Sequence, residues 1–273
     1  MDPVLIAELV VVGMGSGILG ALFGIGGGIV FVPVLTVIFG LLAGEAVAVS
    51  LVGIIASSAG AASYYVGKGV ANIRLGLLLE ITTAVGAMVG AAVAAYIENW
   101  ILLVIFAIVE IYSAASMIFV PERVSEDVGT DDALTFSYKD EKDGAVRRYR
   151  LGNLWPGTAL CAAAGAMSSM TGVGGGTVKV PLMNILMHVP IRAASNTSNY
   201  MIGITAASGA IIYLAHGTLL PDYAAAIAIG ALVGSYIGTR ISAKLNASSM
   251  RRYFSVLLLV VAGIILLEAG GYI

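Results

Sequence analysis

The chain has 273 residues, of which 59% are hydrophobic and only 11% charged, a composition that excludes an ordinary soluble domain and points to the bilayer. A formal net charge of −2, with the basic residues dispersed among loops, offers no footprint for nucleic acid. Cys161 is the single cysteine, so neither an intrachain disulfide nor a Cys/His metal cluster can be built from this sequence.

Apolar runs bounded by charge, Gly, Pro or Trp predict membrane segments over 4–23, 29–42, 46–66, 73–96, 100–120, 152–171, 177–190, 193–215, 221–243 and 252–269. The first follows Met1-Asp2-Pro3 with neither a positive n-region nor a small-residue cleavage site, so it reads as a retained segment. The second and seventh are too short to span. Most of the others, roughly 18–24 residues long, suit a hydrocarbon core of about 30 Å. Trp100 and Trp155 open their segments, where amphipathic rings favour the interface. Residues 121–150 differ from the rest, carrying Glu122, Arg123, Glu126, Asp127, Asp131 and Asp132 ahead of an alternating Leu134–Tyr138 run. A turn-like 139–144 and then Ala145–Tyr149 follow, predicting a solvated connection with a small hairpin. It reads either as a tether between halves or as a regulatory or docking loop.

One stretch occurs twice. Gly24-Ile25-Gly26-Gly27-Gly28-Ile29-Val30-Phe31-Val32-Pro33 returns as Gly172-Val173-Gly174-Gly175-Gly176-Thr177-Val178-Lys179-Val180-Pro181, an offset of 148 residues. The same offset pairs Gly17 with Gly165, Ser50 with Ser198, Ile54 with Ile202, Tyr65 with Tyr213, Gly86 with Gly234 and Phe106 with Phe254. Two homologous membrane repeats, 1–120 and 151–273, joined by 121–150, are the economical reading. Each glycine cluster should break its helix, and backbone freed inside lipid has to be covered by protein or line a water-filled cavity. If each cluster is the tip of a hairpin that returns to the side it entered from, all the basic residues except Lys179, out of 14, fall on one face. A single crossing would divide them, so the positive-inside rule selects the hairpin and makes that face cytoplasmic. The expected fold is an all-α polytopic protein of the cell membrane, built from two inverted repeats. Each repeat is a Gly-broken helical hairpin plus three transmembrane helices, with loop 121–150 cytoplasmic, both termini outside and the tips meeting near the midplane.

Half-helix N-termini at Ile29 and Thr177, preceded by Gly26, Gly27, Gly28 and by Gly174, Gly175, Gly176, would present N–H groups and positive dipole ends to an anion. The same glycines would equally permit tight packing. Lys179, whose repeat mate is Phe31, opposes the dipole of its own helix and calls for an anionic partner, a substrate or a carboxylate, unless it snorkels to the interface. Glu110, mid-segment, is placed to pair with Lys179 and carry a coupling proton, whereas Glu80 suggests a polar contact near the cytoplasm. Ser195-Asn196-Thr197-Ser198-Asn199 and its reduced counterpart Ser50 supply hydroxyl and amide donors for an oxyanion, or bridges between helices. No GxGxxG after a strand, GxxxxGK[ST], HExxH or nucleophile–base pair is present, so no enzyme, cofactor or metal site is expected.

The doubled GxGGG followed by Val-Pro, with Ala48-Val49-Ser50 and Asn196-Thr197-Ser198 downstream, resembles the sulfite exporter TauE/SafE family of permeases over nearly the whole chain outside 121–150. The resemblance implies a multi-pass, ion-coupled exporter of sulfur-containing anions such as sulfite, sulfonates or related organic acids. Val49 departs from the Thr197 of the second half, which directs substrate contacts to that half. The expected function is a secondary transporter working by alternating access, with a small anion and the lipid bilayer as partners, proton coupling, and no oligomeric state assigned. A passive anion channel and a membrane thiol-handling or structural protein built on Cys161 are the competing readings.

Overall fold

The computed structural model describes residues 2–94, 96, 98–119, 134–139 and 144–270. The acidic run 122–132 and the turn 140–143 lie outside the described residues. Among the described residues, ten α-helices and one two-stranded sheet succeed one another: α1 (Pro3–Phe23), α2 (Gly28–Val37), α3 (Ala43–Gly67), α4 (Ile73–Ala94), α5 (Asn99–Phe119), β1 (Thr135–Lys139), β2 (Val146–Arg150), α6 (Leu154–Thr171), α7 (Gly176–Pro181), α8 (Ile191–Ala215), α9 (Pro221–Ser242) and α10 (Ala247–Ala269). The chain is thus an all-α polytopic membrane protein, with α1, α3, α4, α8, α9 and most of α10 long and apolar enough to cross a bilayer.

Helix ends follow local chemistry. Asp2 caps α1 through the Val4 N–H at 3.2 Å, and Asn72 caps α4 through the Leu75 N–H at 3.0 Å. α1 and α6 both stop at a left-handed glycine, Gly24 (φ 78°) and Gly172 (φ 69°), a conformation that any Cβ would strain. The sequence predicts one helix over 177–190, whereas α7 ends at Pro181 and continues as a π turn over Leu182–Leu186. Pro181 has no N–H to give the preceding turn, and the wider turn is how the chain continues.

The chain reverses at each glycine cluster. Ile38 and Phe39, just past α2, share a crevice with Val4, Ala7, Glu8, Val11 and Val12 of α1. In the second half the Gly152 N–H donates to the Met187 carbonyl at 3.0 Å and Asn153 Nδ2 to the Leu186 carbonyl at 2.9 Å, so the end of the π turn lies beside the start of α6. At 1.5 Å per residue α2 is about 15 Å long, half a hydrocarbon core.

Packing repeats at the 148-residue offset. α1 lies against α9 through Gly17 on Ala231 and Gly234 on Met14, and α6 lies against α4 through Gly165 on Thr83 and Gly86 on Ala162. In each case a Cβ would run into a backbone carbonyl, so the small residues set the interhelix distance. α3 and α8, which are repeat mates, cross antiparallel: Gly209 faces Leu51 while Gly203 faces Ser58. Tyr65 donates to the Ala21 carbonyl at 3.0 Å and Tyr213 to the Ser169 carbonyl at 2.9 Å, the same bond made once in each half.

Strands β1 and β2 pair antiparallel, with Phe136 opposite Tyr149, and dock on the helix ends instead of hanging free. The Lys139 N–H donates to the Gly69 carbonyl at 3.2 Å, and Arg74 lies over the Phe136 ring, 5.5 Å from its centroid. Asn72 Nδ2 donates to the Ser137 carbonyl and to the Tyr149 hydroxyl, both at 3.3 Å, while the Asn72 N–H donates to Thr197 Oγ1 at 3.0 Å. Burial raises the Tyr149 hydroxyl above the usual tyrosine range, so it stays protonated.

Leucine at Gly86 or Gly234 is expected to overpack these crossings and cost about 1–3 kcal/mol or more. A lowered thermal midpoint and loss of a monodisperse detergent-solubilised species would report it. Gly263→Ala, whose Cβ would meet nothing within 4 Å, should leave both unchanged.

Candidate functional site

The two glycine tips interlock. A Cβ at Gly28 would lie 2.5 Å from the Gly172 carbonyl, one at Gly174 would lie 2.7 Å from the Ile25 carbonyl, and one at Gly176 would strike the Gly24 carbonyl. Gly26 abuts Ile54 and Ile202, themselves repeat mates, and Gly27 abuts the Ser16 carbonyl. The last carbonyls of α1 and α6 would be orphaned at such breaks, and each is met by the other half. Ser50 Oγ donates to the Gly172 carbonyl at 2.5 Å, and Ser198 Oγ donates to the Gly24 carbonyl at 2.7 Å. Asn199 Nδ2 adds a bond to the Ala21 carbonyl at 2.9 Å, and Ser168 Oγ accepts from the Gly175 N–H at 2.7 Å.

Against this backbone lattice stands one cluster of charge. Lys179 is fully buried, and its side chain folds back along α7 so that Cε would be 3.3 Å from a Cβ at Gly175. Its repeat mate Phe31 does the same at the first tip, with Cε2 3.3 Å from a Cβ at Gly27. Lys179 Nζ donates to Thr205 Oγ1 at 2.6 Å and reaches Glu80 Oε2 at 3.3 Å, while Thr205 donates to Glu80 Oε1 at 2.5 Å. Helices α4, α7 and α8 each contribute one member. Cys161 of α6 is buried within electrostatic range of Lys179 and Glu80.

The sequence reading pairs Lys179 with Glu110, and the structure corrects this. Glu80 is the partner, its side chain only 4% exposed, and the polar contact expected of it is made to Lys179 and Thr205. α4 packs on both α6 and α8, which carries Glu80 inward to the second tip; a helix face cannot be aimed from a single segment's sequence. Glu110, fully buried on α5, approaches the Thr177 hydroxyl without a hydrogen bond of normal geometry, and among the described residues neither carboxylate oxygen has another partner. Ser50, Thr197, Ser198 and Asn199 act on backbone groups and on Asn72, and Asn196 is buried beside them. Thr205, Ser168 and Asn72 were not anticipated. Thr205 had a signal, since its repeat mate is the hydroxyl residue Ser57.

A family model for the sulfite exporter TauE/SafE matches residues 9–265. The chain belongs to the TauE/SafE family. It is a membrane transporter of that family, and the match spans both glycine motifs and runs from within α1 to within α10. A curated relative, "Probable membrane transporter protein YunE" of Bacillus subtilis (strain 168), is 26% identical over 260 residues, covering 93% of this chain and 94% of the relative. No solved structure matches.

Breaking a buried ion pair from one side strands the other charge, typically at 3–5 kcal/mol, whereas removing both charges together is far cheaper. Lys179→Met and Glu80→Gln should each lower the thermal midpoint, and the double variant Lys179→Met/Glu80→Gln should recover most of the loss. A double variant that is additively destabilised would show that the two side chains are not energetically paired.

Proposed function

We propose that this TauE/SafE transporter exports a small sulfur-containing or organic anion, such as sulfite or a sulfonate, across the cell membrane by alternating access around its two glycine tips. The buried ammonium of Lys179, folded back onto the second tip, carries this reading. A cation held dry beside a half-helix N-terminus has lost its hydration and opposes the local dipole, and with Glu80 engaged only at 3.3 Å a bound anion would compensate it more fully. Backbone N–H groups at Gly26–Gly28 and Gly174–Gly176, of which Gly26 and Gly175 would first release the Gly20 carbonyl and Ser168 Oγ, would with Thr177 complete an oxyanion shell, and Ser50, Asn196, Thr197, Ser198 and Asn199 would hold the tips in register. The interlocked tips and the Ile54–Ile202 contact correspond to a closed arrangement, and their separation would admit substrate from one side at a time. Glu80 and Glu110 are the carboxylates available to couple transport to protons.

The halves are taken to be inverted in the bilayer, with both termini outside and the β1–β2 hairpin cytoplasmic. The one-sided basic residues and the antiparallel crossing of α3 with α8 support this orientation. In a Cys161→Ser background, Leu42→Cys should label from outside and Lys68→Cys only from the cytoplasm with a membrane-impermeant maleimide. The reverse pattern would overturn the topology.

Purified protein in proteoliposomes should take up sulfite or isethionate saturably and against a gradient, which a passive channel cannot do. Lys179→Met should lower the rate at least about tenfold, the loss of one charge-assisted contact of about 1.5–3 kcal/mol. Cys161→Ser should transport normally; its failure would favour the thiol-handling reading.

A further inference from the structure

We infer that Glu80 is the coupling carboxylate of the site: it competes with the substrate anion for Lys179 and takes up one proton for each anion bound. The inference rests on the reading of Lys179 as the anion-binding cation.

Three features of the cluster carry it. The ion pair is loose, since Lys179 Nζ stands 3.3 Å from Glu80 Oε2 where a well-formed charge-assisted bond would be about 2.7–2.9 Å. The tight contacts go instead through the Thr205 hydroxyl, which accepts from Lys179 at 2.6 Å and donates to Glu80 at 2.5 Å. Lysine has three N–H donors, and among the described residues Lys179 finds two partners, Thr205 and Glu80, so one donor of this buried ammonium remains open.

Charge conservation in a dry site does the rest. Lys179 and Glu80 together are neutral, and an arriving monoanion would leave a net charge of −1 sealed from water, a costly state. Protonation of the Glu80 carboxylate restores neutrality. Oε1 then becomes an O–H that donates to Thr205 Oγ1, the Thr205 hydroxyl turns away, and Lys179 passes from carboxylate to substrate. The proton comes from water on the open side and leaves with the anion on the other.

Of the titratable groups nearby, Cys161 of α6 lies within electrostatic range of the pair, Glu110 of α5 lies beside Thr177, two residues from Lys179, and Tyr200 of α8 lies against Gly76, one turn before Glu80. Among the described residues none of these adds a second positive charge, so the balance falls on Glu80. The cluster is also single. At the 148-residue offset Glu80 becomes Ala228, Lys179 becomes Phe31 and Thr205 becomes Ser57, which gives one coupled proton per chain.

The test uses isethionate, a sulfonate that keeps one negative charge at every pH examined, and the detergent-solubilised full chain. Calorimetry in buffers of different ionisation heat should find about one proton taken up per isethionate bound, and the Kd should rise about tenfold per pH unit on the alkaline side. In Glu80→Gln binding should persist with no proton uptake and a flat pH profile. Glu110→Gln and Cys161→Ser should retain the proton. Proton uptake that survives in Glu80→Gln, or vanishes in Glu110→Gln, would overturn the assignment. Should Glu80→Gln not fold, Glu80→Asp must shift the midpoint of the pH profile, and an unshifted midpoint counts against Glu80. Wild-type binding without proton uptake would remove the coupling alone. If wild type binds neither isethionate nor sulfite, the anion site falls and the coupling with it.

Discussion

A peptide group cannot be left bare in hydrocarbon, and this fold depends on how it meets that constraint at two broken helices. α1 and α6 each end in a left-handed glycine whose carbonyl has no partner within its own helix. The partner comes from the opposite half, Ser50 to Gly172 and Ser198 to Gly24. Small side chains at the tips then let backbone meet backbone, and the α1–α9 and α4–α6 crossings, packed on glycine, hold the two breaks at the distance these hydrogen bonds require. The polar run on α8 therefore serves first as structural cover for exposed carbonyls, and any role toward substrate is superimposed on that cover.

Symmetry in the backbone contrasts with asymmetry in the side chains. Phe31 and Lys179 curl back onto equivalent glycines in equivalent ways, one apolar and one charged. The first tip is sealed by packing, while the second is held by a three-residue electrostatic relay spanning α4, α7 and α8. Two tips of the same shape can thus differ in mobility. Parting an apolar contact needs only space, whereas parting the relay needs a change of charge.

The glycine repeat, the number and limits of the long helices and the lysine among apolar residues were legible in the sequence because they depend on local periodicity and on an offset that can be counted. Lys179 was legible as a residue in need of an anion, but the identity of that anion was not. Glu80 and Glu110 both sit in apolar segments, and only the rotation and packing of α4 and α5 decide which one reaches the ammonium. Asn72 was invisible for a related reason, since its importance lies in joining Ser137 and Tyr149 of the hairpin to Thr197 of α8, both distant from it in the chain. Pro181 was readable as a breaker, but neither the π turn that follows it nor the bond from Asn184 Nδ2 to the Val189 carbonyl, 2.9 Å away, could be read from local sequence.

The exchanged serine bonds bear on how such a chain can come into being. Neither half satisfies its own helix end, so a half expressed alone would have a bare carbonyl at its tip and an idle serine on its third helix. On the inverted topology proposed above, two copies of that half in opposite orientations would satisfy both needs, which makes an antiparallel homodimer the simplest ancestor. Joining the copies through residues 121–150 replaces a bimolecular encounter in the membrane with an intramolecular one, at the effective concentration set by a short connection. Once joined, the copies could diverge, and a lysine could arise opposite a phenylalanine without appearing twice.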